Sequence, residues 1–392
     1  MYFPALRQLP TLSSRCMSSN ELSLFLKTGA ELKHLVLEET QHHTQPSPPL
    51  ITLTMAFLTH QIRPTFFRCT SAGRRSLTTN ATDAASKLLD IFVGKDVIRK
   101  QIIDSNQLQR LSLTLNRKEL HPGQDVSADA PVQGTPVPPG YHLVYFTPAG
   151  VESELGMDGT DKTFNAPAPF TRRMWAGGNM QFFEGASLKV GEEVEERTRL
   201  VAATPKKSRS GDEMVLVDVE KEFWGRDGLV VKDQRSWIFR PEVNVSQAAK
   251  TAPPRNHRPP AFGPSKTTDQ KDGVGNTVRH LRWSPVGLFR FSALTFNGHM
   301  IHYNEPWTKD IERHPDVVVH GPLNLINMLD YWRDVYGQDG REVRRVGYRA
   351  TSPLYAGDEY TIRTAAVEGD KNYEILVEKG STVCMKGEIV GS

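Results

Sequence analysis

Phe291-Ser-Ala-Leu-Thr-Phe-Asn297-Gly298-His299-Met-Ile-His302-Tyr-Asn304, followed by His314-Pro315 and Val317-Val-Val-His320-Gly321-Pro322, decides how this chain is read. The aromatic and apolar run from Phe291 reads as the end of a strand that breaks at the Asn297-Gly298 turn. The valines after Pro315 read as an apolar run that delivers His320-Gly321 to the start of a helix. Asn297 and His302 stand five residues apart around the turn. A proton-transferring imidazole, a water-holding amide and backbone N–H groups able to bind a carbonyl oxygen make a set suited to thioester chemistry.

Outward from this stretch, composition sets bounds. The chain has 392 residues, 38% apolar and 24% charged, which fits a globular protein of about two domains. No apolar run reaches the ~18 residues of a membrane span, so no membrane partner is expected. A net charge of +3, without a basic stripe interleaved with aromatics, argues against nucleic acid. The three cysteines, Cys16, Cys69 and Cys384, are scattered, which fits a reducing compartment and disfavours a structural metal site. There is no GxGxxG, GxxxxGK[ST] or GxSxG, so nucleotide-binding and serine-hydrolase readings have no motif.

Residues 1–80 do not read as fold. No acid occurs between Glu39 and Asp83, and Met55 to Thr79 carries Arg63, Arg68, Arg74 and Arg75 among apolar and hydroxyl residues. Those are the marks of a mitochondrial transit segment, with a plain disordered N terminus as the alternative. On the first reading, residues 1–54 are an upstream extension from a misassigned start codon and the mature protein works in the mitochondrial matrix.

Further along, Ala84 to Phe92 has helical spacing, and Ser105 or Asn106 is placed to cap a second helix through Leu115. Asp125 to Pro139 reads as a loop and Tyr141 to Phe146 as a strand. Arg172-Arg173-Met-Trp175-Ala-Gly177-Gly178 reads as a loop entering a strand, with glycines that permit close backbone approach to a ligand and arginines suited to phosphate or carboxylate. A structural turn with a core Trp175 is the competing account. Strands are expected at 193–203, 213–223, 228–239, 285–296, 343–350, 359–367, 373–378 and 382–390, with a helix from Gly321 through Trp332. The Pro- and Lys-rich stretch 241–277 reads as a linker between an N-terminal domain, 81–240, and a catalytic C-terminal domain, 278–392.

An internal repeat supports two similar units. Leu188-x-x-Gly191-x-Glu193-x-x-x-Arg197-Thr198 matches Leu354-x-x-Gly357-x-Glu359-x-x-x-Arg363-Thr364 at five identical positions. The expected fold is α+β: two curved antiparallel sheets, each wrapping a helix, paired edge to edge so that open strands are hidden.

The motif from Phe291 to His302, with His320-Gly321 at a helix start, resembles the MaoC-like hot-dog hydratases and dehydratases, whose pattern is roughly Ser-Gly-Asp-x-Asn-Pro-x-His. With the Arg172 to Gly178 segment it resembles the two-domain branch of hydroxyacyl-thioester dehydratase type 2 and mesaconyl-C4-CoA hydratase, over about residues 80–392. The resemblance implies a double hot-dog and reversible dehydration of (3R)-hydroxyacyl thioesters. It implies His302 as base, Asn297 in the family's acid position, and the Gly321 N–H as oxyanion donor. Arg172, Arg173, Trp175, Gly177 and His320 are then expected at the substrate, while His299 is expected to be exposed structure and His280 and Trp283 structural. Asn cannot exchange a proton as Asp can. Neither a metal nor a redox cofactor is called for, and the partner is acyl carrier protein or acyl-CoA, bound by a monomeric pseudo-dimer or a homodimer. Three readings stay open: a mitochondrial fatty-acid-synthesis dehydratase, a hydratase of short or dicarboxylic enoyl-CoA, and a non-catalytic acyl-binding subunit.

Overall fold

The computed structural model describes residues 79–246 and 263–392. The transit-like segment lies outside the described residues, which belong to one compact unit, Arg74–Ser392.

The first half holds helix α1 (Ala81–Phe92), β1 (Asp96–Ile102), helix α2 (Ser105–Thr114), the small hairpin β2 (Glu119–His121) and β3 (Gln124–Asp125), then β4 (Arg172–Phe182), β5 (Glu193–Lys207), β6 (Glu213–Gly225) and β7 (Gly228–Arg240). The second half holds β8 (Lys266–Lys271), β9 (Thr277–Arg282), helix α3 (Pro285–Leu294), helix α4 (Gly321–Tyr336), and β10 (Val343–Ala350), β11 (Glu359–Glu368), β12 (Asn372–Lys379) and β13 (Thr382–Gly391). Eleven of these strands form one sheet in the order β1-β5-β6-β7-β4-β10-β13-β12-β11-β9-β8. Each half therefore repeats one topology, and the halves meet where β4 and β10 pair antiparallel, Arg345 opposite Gln181 and Arg349 opposite Gly177. This is the double hot-dog, closed at its centre by main-chain hydrogen bonds.

The repeated motif marks the same place in both halves. Leu188 and Leu354 are buried core residues, and Gly191 and Gly357 turn the chain at φ +82° and +76° just before β5 and β11 begin. Only glycine adopts that left-handed backbone without strain.

The halves differ in what they wrap. Helix α4 is enclosed on nearly every side: Leu323, Leu325, Ile326, Met328, Leu329 and Trp332 are all buried. In the first half the corresponding stretch is one 3₁₀ turn, Tyr141–Val144, rather than the strand expected there. Pro138 and Pro139 precede it, and Gly140, at φ +86°, presses against α4 so closely that a Cβ would lie 2.7 Å from Leu329. Tyr141 donates to Asp330 of α4 at 2.9 Å and fixes the turn to the shared core.

Two other expectations are corrected. Residues 285–294 are helix α3, not strand: Ser284 caps it by accepting the Gly287 N–H at 3.1 Å and Pro285 starts it. Its buried Leu288 and Phe291 made an apolar run that periodicity alone does not assign. Residues 266–271, within the expected linker, are the edge strand β8, paired with β9 along its length. All its residues are exposed, so it lacks the alternation that marks a half-buried strand.

Candidate active site

Helix α3 ends in a six-residue capping motif that aims the next turn. The Asn297 N–H bonds to Ser292 O at 2.9 Å and the Phe296 N–H to Ala293 O at 3.2 Å. Phe296 takes the left-handed position, φ +49°, where glycine is the usual occupant. Holding a non-glycine residue there costs roughly 1 kcal/mol or more, a form of strain that gathers at functional turns. Asn297 then folds its side chain back, Oδ1 accepting the His299 N–H at 3.0 Å. One lone pair of its carboxamide oxygen is thereby engaged by the turn, and the second lone pair and the amide N–H groups remain for a ligand.

His302 closes the short 3₁₀ turn Met300–His302 and is buried. Its Nδ1 lies 2.7 Å from Val318 O. A carbonyl only accepts, so Nδ1 carries the proton and Nε2 holds a lone pair. Burial lowers the His302 pKa to about 4, against a smaller opposing effect of the Val318 carbonyl. The ring is thus neutral across physiological pH and ready to act as a base.

The valine run is a backbone clamp: the Val318 N–H bonds to Ile301 O at 2.8 Å and the Val319 N–H to Leu354 O at 2.8 Å. It delivers His320, which stacks on His302 with ring centroids 3.6 Å apart. His320 Nε2 meets Ser292 Oγ at 2.9 Å, joining α3 to the start of α4. Burial and the neighbouring histidines hold the His320 pKa well below the ordinary value. Gly321 opens α4, where first-turn N–H groups have no partner within the helix. Pro322 lacks one, which leaves the Gly321 and Leu323 N–H groups at the helix's positive end.

Trp175, from β4 in the other half, lies over that helix start. A Cβ on Gly321 would stand 2.9 Å from two Trp175 ring atoms. Trp175 stacks on Tyr348, and the Arg235 guanidinium lies 5.5 Å from its ring centre.

A cavity of about 760 Å³ joins these parts. His299, His302, His320, Gly321, Arg173 and Trp175 all line it, as does Asn297. Arg173 is held between Asp161, at 3.7 Å, and the face of Trp237.

Two expected residues stand elsewhere. Arg172 is absent from the cavity wall: its Nε donates to Glu312 Oε2 at 2.8 Å, and its Nη2 donates to the same oxygen. Gly177 is absent too. It lets β4 and β10 pair, since a Cβ there would lie 2.5 Å from Tyr348 O. His299 departs from expectation in the other direction: it is only 9% exposed and faces the cavity.

Sequence reasoning missed Asp158, whose backbone oxygen accepts the Met300 N–H at 2.8 Å. It also missed Ser292, and the wall formed by Glu196, Lys221 and Arg235. Gly156-Met-Asp158-Gly159-Thr160 carries a turn signal, but nothing local says which distant turn it meets.

The family model for hydroxyacyl-thioester dehydratase type 2 matches residues 140–356. Mesaconyl-C(4)-CoA hydratase of Chloroflexus aurantiacus is 31% identical over 229 residues, 58% of this chain and 74% of that protein. The mitochondrial hydroxyacyl-thioester dehydratase type 2 of Schizosaccharomyces pombe is 28% identical over 280 residues, 68% of this chain and 89% of that protein. A solved MaoC-like dehydratase superposes with a TM-score of 0.54 at 13% identity, over 77% of this chain and 98% of its own. At that identity the superposition speaks for the fold, shared with a MaoC-like dehydratase, and the family match and curated relatives speak for descent: the chain belongs to the hydroxyacyl-thioester dehydratase type 2 family.

Proposed function

We propose that the chain is a hydro-lyase that interconverts (3R)-3-hydroxyacyl and trans-2-enoyl thioesters in the cavity between its halves. The observation that carries this reading is the fixed tautomer of His302, whose Nδ1–H is bound to Val318 O while Nε2 is left basic beside the start of α4.

In dehydration, His302 Nε2 takes the proton from C2. The electron pair moves onto the thioester oxygen, where the Gly321 N–H and the helix dipole oppose the charge. When the enolate collapses, the C3 hydroxyl leaves, takes the proton back from Nε2 and departs as water. The imidazole returns to its starting state, and hydration is the reverse. Losing one donor of this kind costs roughly 3–4 kcal/mol in comparable sites. Arg173 and Trp175 hold the acyl thioester, His320 supports His302, and the catalytic half spans residues 278–392.

The physiological setting we propose is mitochondrial type II fatty acid synthesis, with acyl carrier protein or coenzyme A carrying the substrate. The transit-like segment from Met55 and the name of the Schizosaccharomyces pombe relative support it. Sequencing the mature N terminus tests the location, and a mature start before residue 55 contradicts it.

A second reading, a hydratase of short or dicarboxylic enoyl-CoA, is favoured by the cavity wall. Lys221 and Arg235 face a cavity that long alkyl chains would want apolar, and each is paired, Lys221 to Glu196 at 2.6 Å and Arg235 to Asp233 at 2.7 Å. Comparing kcat/KM for crotonyl, long-chain and dicarboxylic enoyl thioesters on the purified protein separates the two. A rise with alkyl length favours the first reading, and a sharp fall favours the second.

A further inference from the structure

The acid position of the family motif holds an amide here, and the oxygen of that amide is already engaged by the His299 N–H. A carboxylate nonetheless reaches the site, from the other half of the molecule. Asp158 lies in the loop between the 3₁₀ turn Glu152–Glu154 and β4. Its Oδ1 accepts the Thr160 N–H at 3.0 Å and the Thr160 hydroxyl at 2.6 Å. Oδ2 then faces His299 Nε2 at 3.5 Å.

The contact is held in place by backbone. The Met300 N–H bonds to Asp158 O at 2.8 Å, and a Cβ on Gly159 would stand 2.1 Å from Gly298 O. The two loops therefore have no room to slide, and both members of the pair are buried, Asp158 at 8% and His299 at 9% exposure.

A carboxylate accepts and does not donate, so this pairing favours the tautomer with the proton on Nε2 and a lone pair on Nδ1. Burial, and then the nearby His302 and Arg173, keep His299 neutral by holding its pKa well below the ordinary value. His299 and His302 line the same cavity, edge to face, with ring centroids 5.4 Å apart. A ring spacing of this size is what one oxygen bridging a nitrogen of each ring, at about 2.8 Å from both, would require.

We propose that His299 is a second catalytic imidazole, which holds the attacking water or departing C3 hydroxyl as a hydrogen-bond acceptor, and that Asp158 is its positioning residue. In hydration, the water gives one hydrogen bond to His299 Nδ1 and the other to His302 Nε2. One of its two lone pairs forms the C3–O bond as the C2=C3 electrons move toward the thioester oxygen. The proton taken by His302 passes to C2 when the enolate collapses. The other hydrogen stays on the new hydroxyl, so His299 gains and loses no proton. His299 thus joins Asn297 in the water-holding role, with its carboxylate supplied across the interface between halves.

This inference rests on the hydratase reading above, and the test separates the two. Crotonyl-CoA hydration is measured on the full chain and on His299→Ala, His299→Gln, Asp158→Asn and the double variant His299→Ala/Asp158→Asn. His299→Ala is expected to lower kcat about 100-fold with KM within about threefold. His299→Gln, whose carboxamide oxygen can still accept from water, is expected to recover at least about fivefold of that loss. Asp158→Asn, nearly isosteric, is expected to lower kcat about tenfold. It should add less than about twofold to His299→Ala, because it acts through that ring. A kcat for His299→Ala within about threefold of wild type, or full additivity in the double variant, overturns the proposal. If His299→Ala does not fold, Asp158→Asn decides alone: an unchanged kcat overturns the proposal. A wild-type protein inert on every enoyl thioester overturns the hydratase reading together with it, whereas an active wild type with unaffected variants overturns this inference only.

Discussion

His302 and His320 lie face to face, their ring planes 16° from parallel and their centroids 3.6 Å apart. Two imidazolium rings in that contact would repel across a desolvated gap, so the stack is stable only while at least one ring is neutral. The geometry ties the proposed base to the helix start: any movement of His320 at the first turn of α4 moves the face on which His302 rests. It also places a limit on the acidity at which the site stays assembled.

The pH profile of activity follows from the base. The free-enzyme acid limb of kcat/KM for enoyl thioester hydration is expected near pH 4, the His302 value, rather than near the ordinary histidine value of 6.5. Initial rates between pH 3.5 and 8, with enzyme stability controlled at each pH, check this. A limb near 6.5 would mean that the essential base is a solvated histidine elsewhere.

Stability should depend on pH in the same region, and the sign is fixed. His302 has a folded-state pKa below its unfolded value, so the unfolded chain binds more protons between about pH 6.5 and 4. Its contribution is fully present above the unfolded pKa and is lost as pH falls through that window. Its share is roughly 3 kcal/mol, at 1.36 kcal/mol per pKa unit. His299 and His320 shift in the same direction. Denaturant titrations at pH 7.5 and pH 4.5 are expected to differ by several kcal/mol, and His302→Gln is expected to narrow the difference. Equal stability at both pH values contradicts a buried neutral cluster.

Gly321→Ala tests the contact between halves at the proposed oxyanion position. The new Cβ would fall 2.9 Å from the Trp175 ring, so either the indole or the helix start must yield. Expected results are a loss of kcat of about tenfold or more and a stability loss of about 1–3 kcal/mol. Pairing the change with Trp175→Leu should restore part of the stability. Unchanged kcat and melting temperature would show that Trp175 does not constrain the first turn.

The paired arginines should separate. Arg172→Gln leaves Glu312 without its partner and is expected to cost roughly 2 kcal/mol of stability while KM stays within about twofold. Arg173→Gln removes a cation from the cavity wall and is expected to raise KM about tenfold. The reverse pattern would place the thioester on the other side of β4.

How far the sequence could be read depended on what each segment packs against. The strands from β10 to β13 and from β5 to β7 alternate one face in and one face out, and their period is visible in residue order. Helix α4 announced itself by Gly321-Pro322 and its apolar spacing. Helix α3 did not, because Leu288 and Phe291 pack inward while Val286 and Phe289 remain 64% and 62% exposed, which erases the amphipathic stripe. The Ser284-Pro285 cap was the available signal and points to a helix. Within the site, His302, His320 and Gly321 were legible because one short segment carries them. Asp158, Glu196 and Arg235 were not, since the β4–β10 pairing and the loop docking that bring the halves together leave no trace in residue spacing.

The most direct test of the central claim is crotonyl-CoA hydration by the purified protein beside a His302→Ala variant of matched melting temperature. The account predicts measurable hydration by the wild type and a loss of about 1,000-fold or more in kcat/KM in the variant. Hydration that survives in His302→Ala would contradict it, because the proton would then be moving through a group other than the imidazole held by Val318.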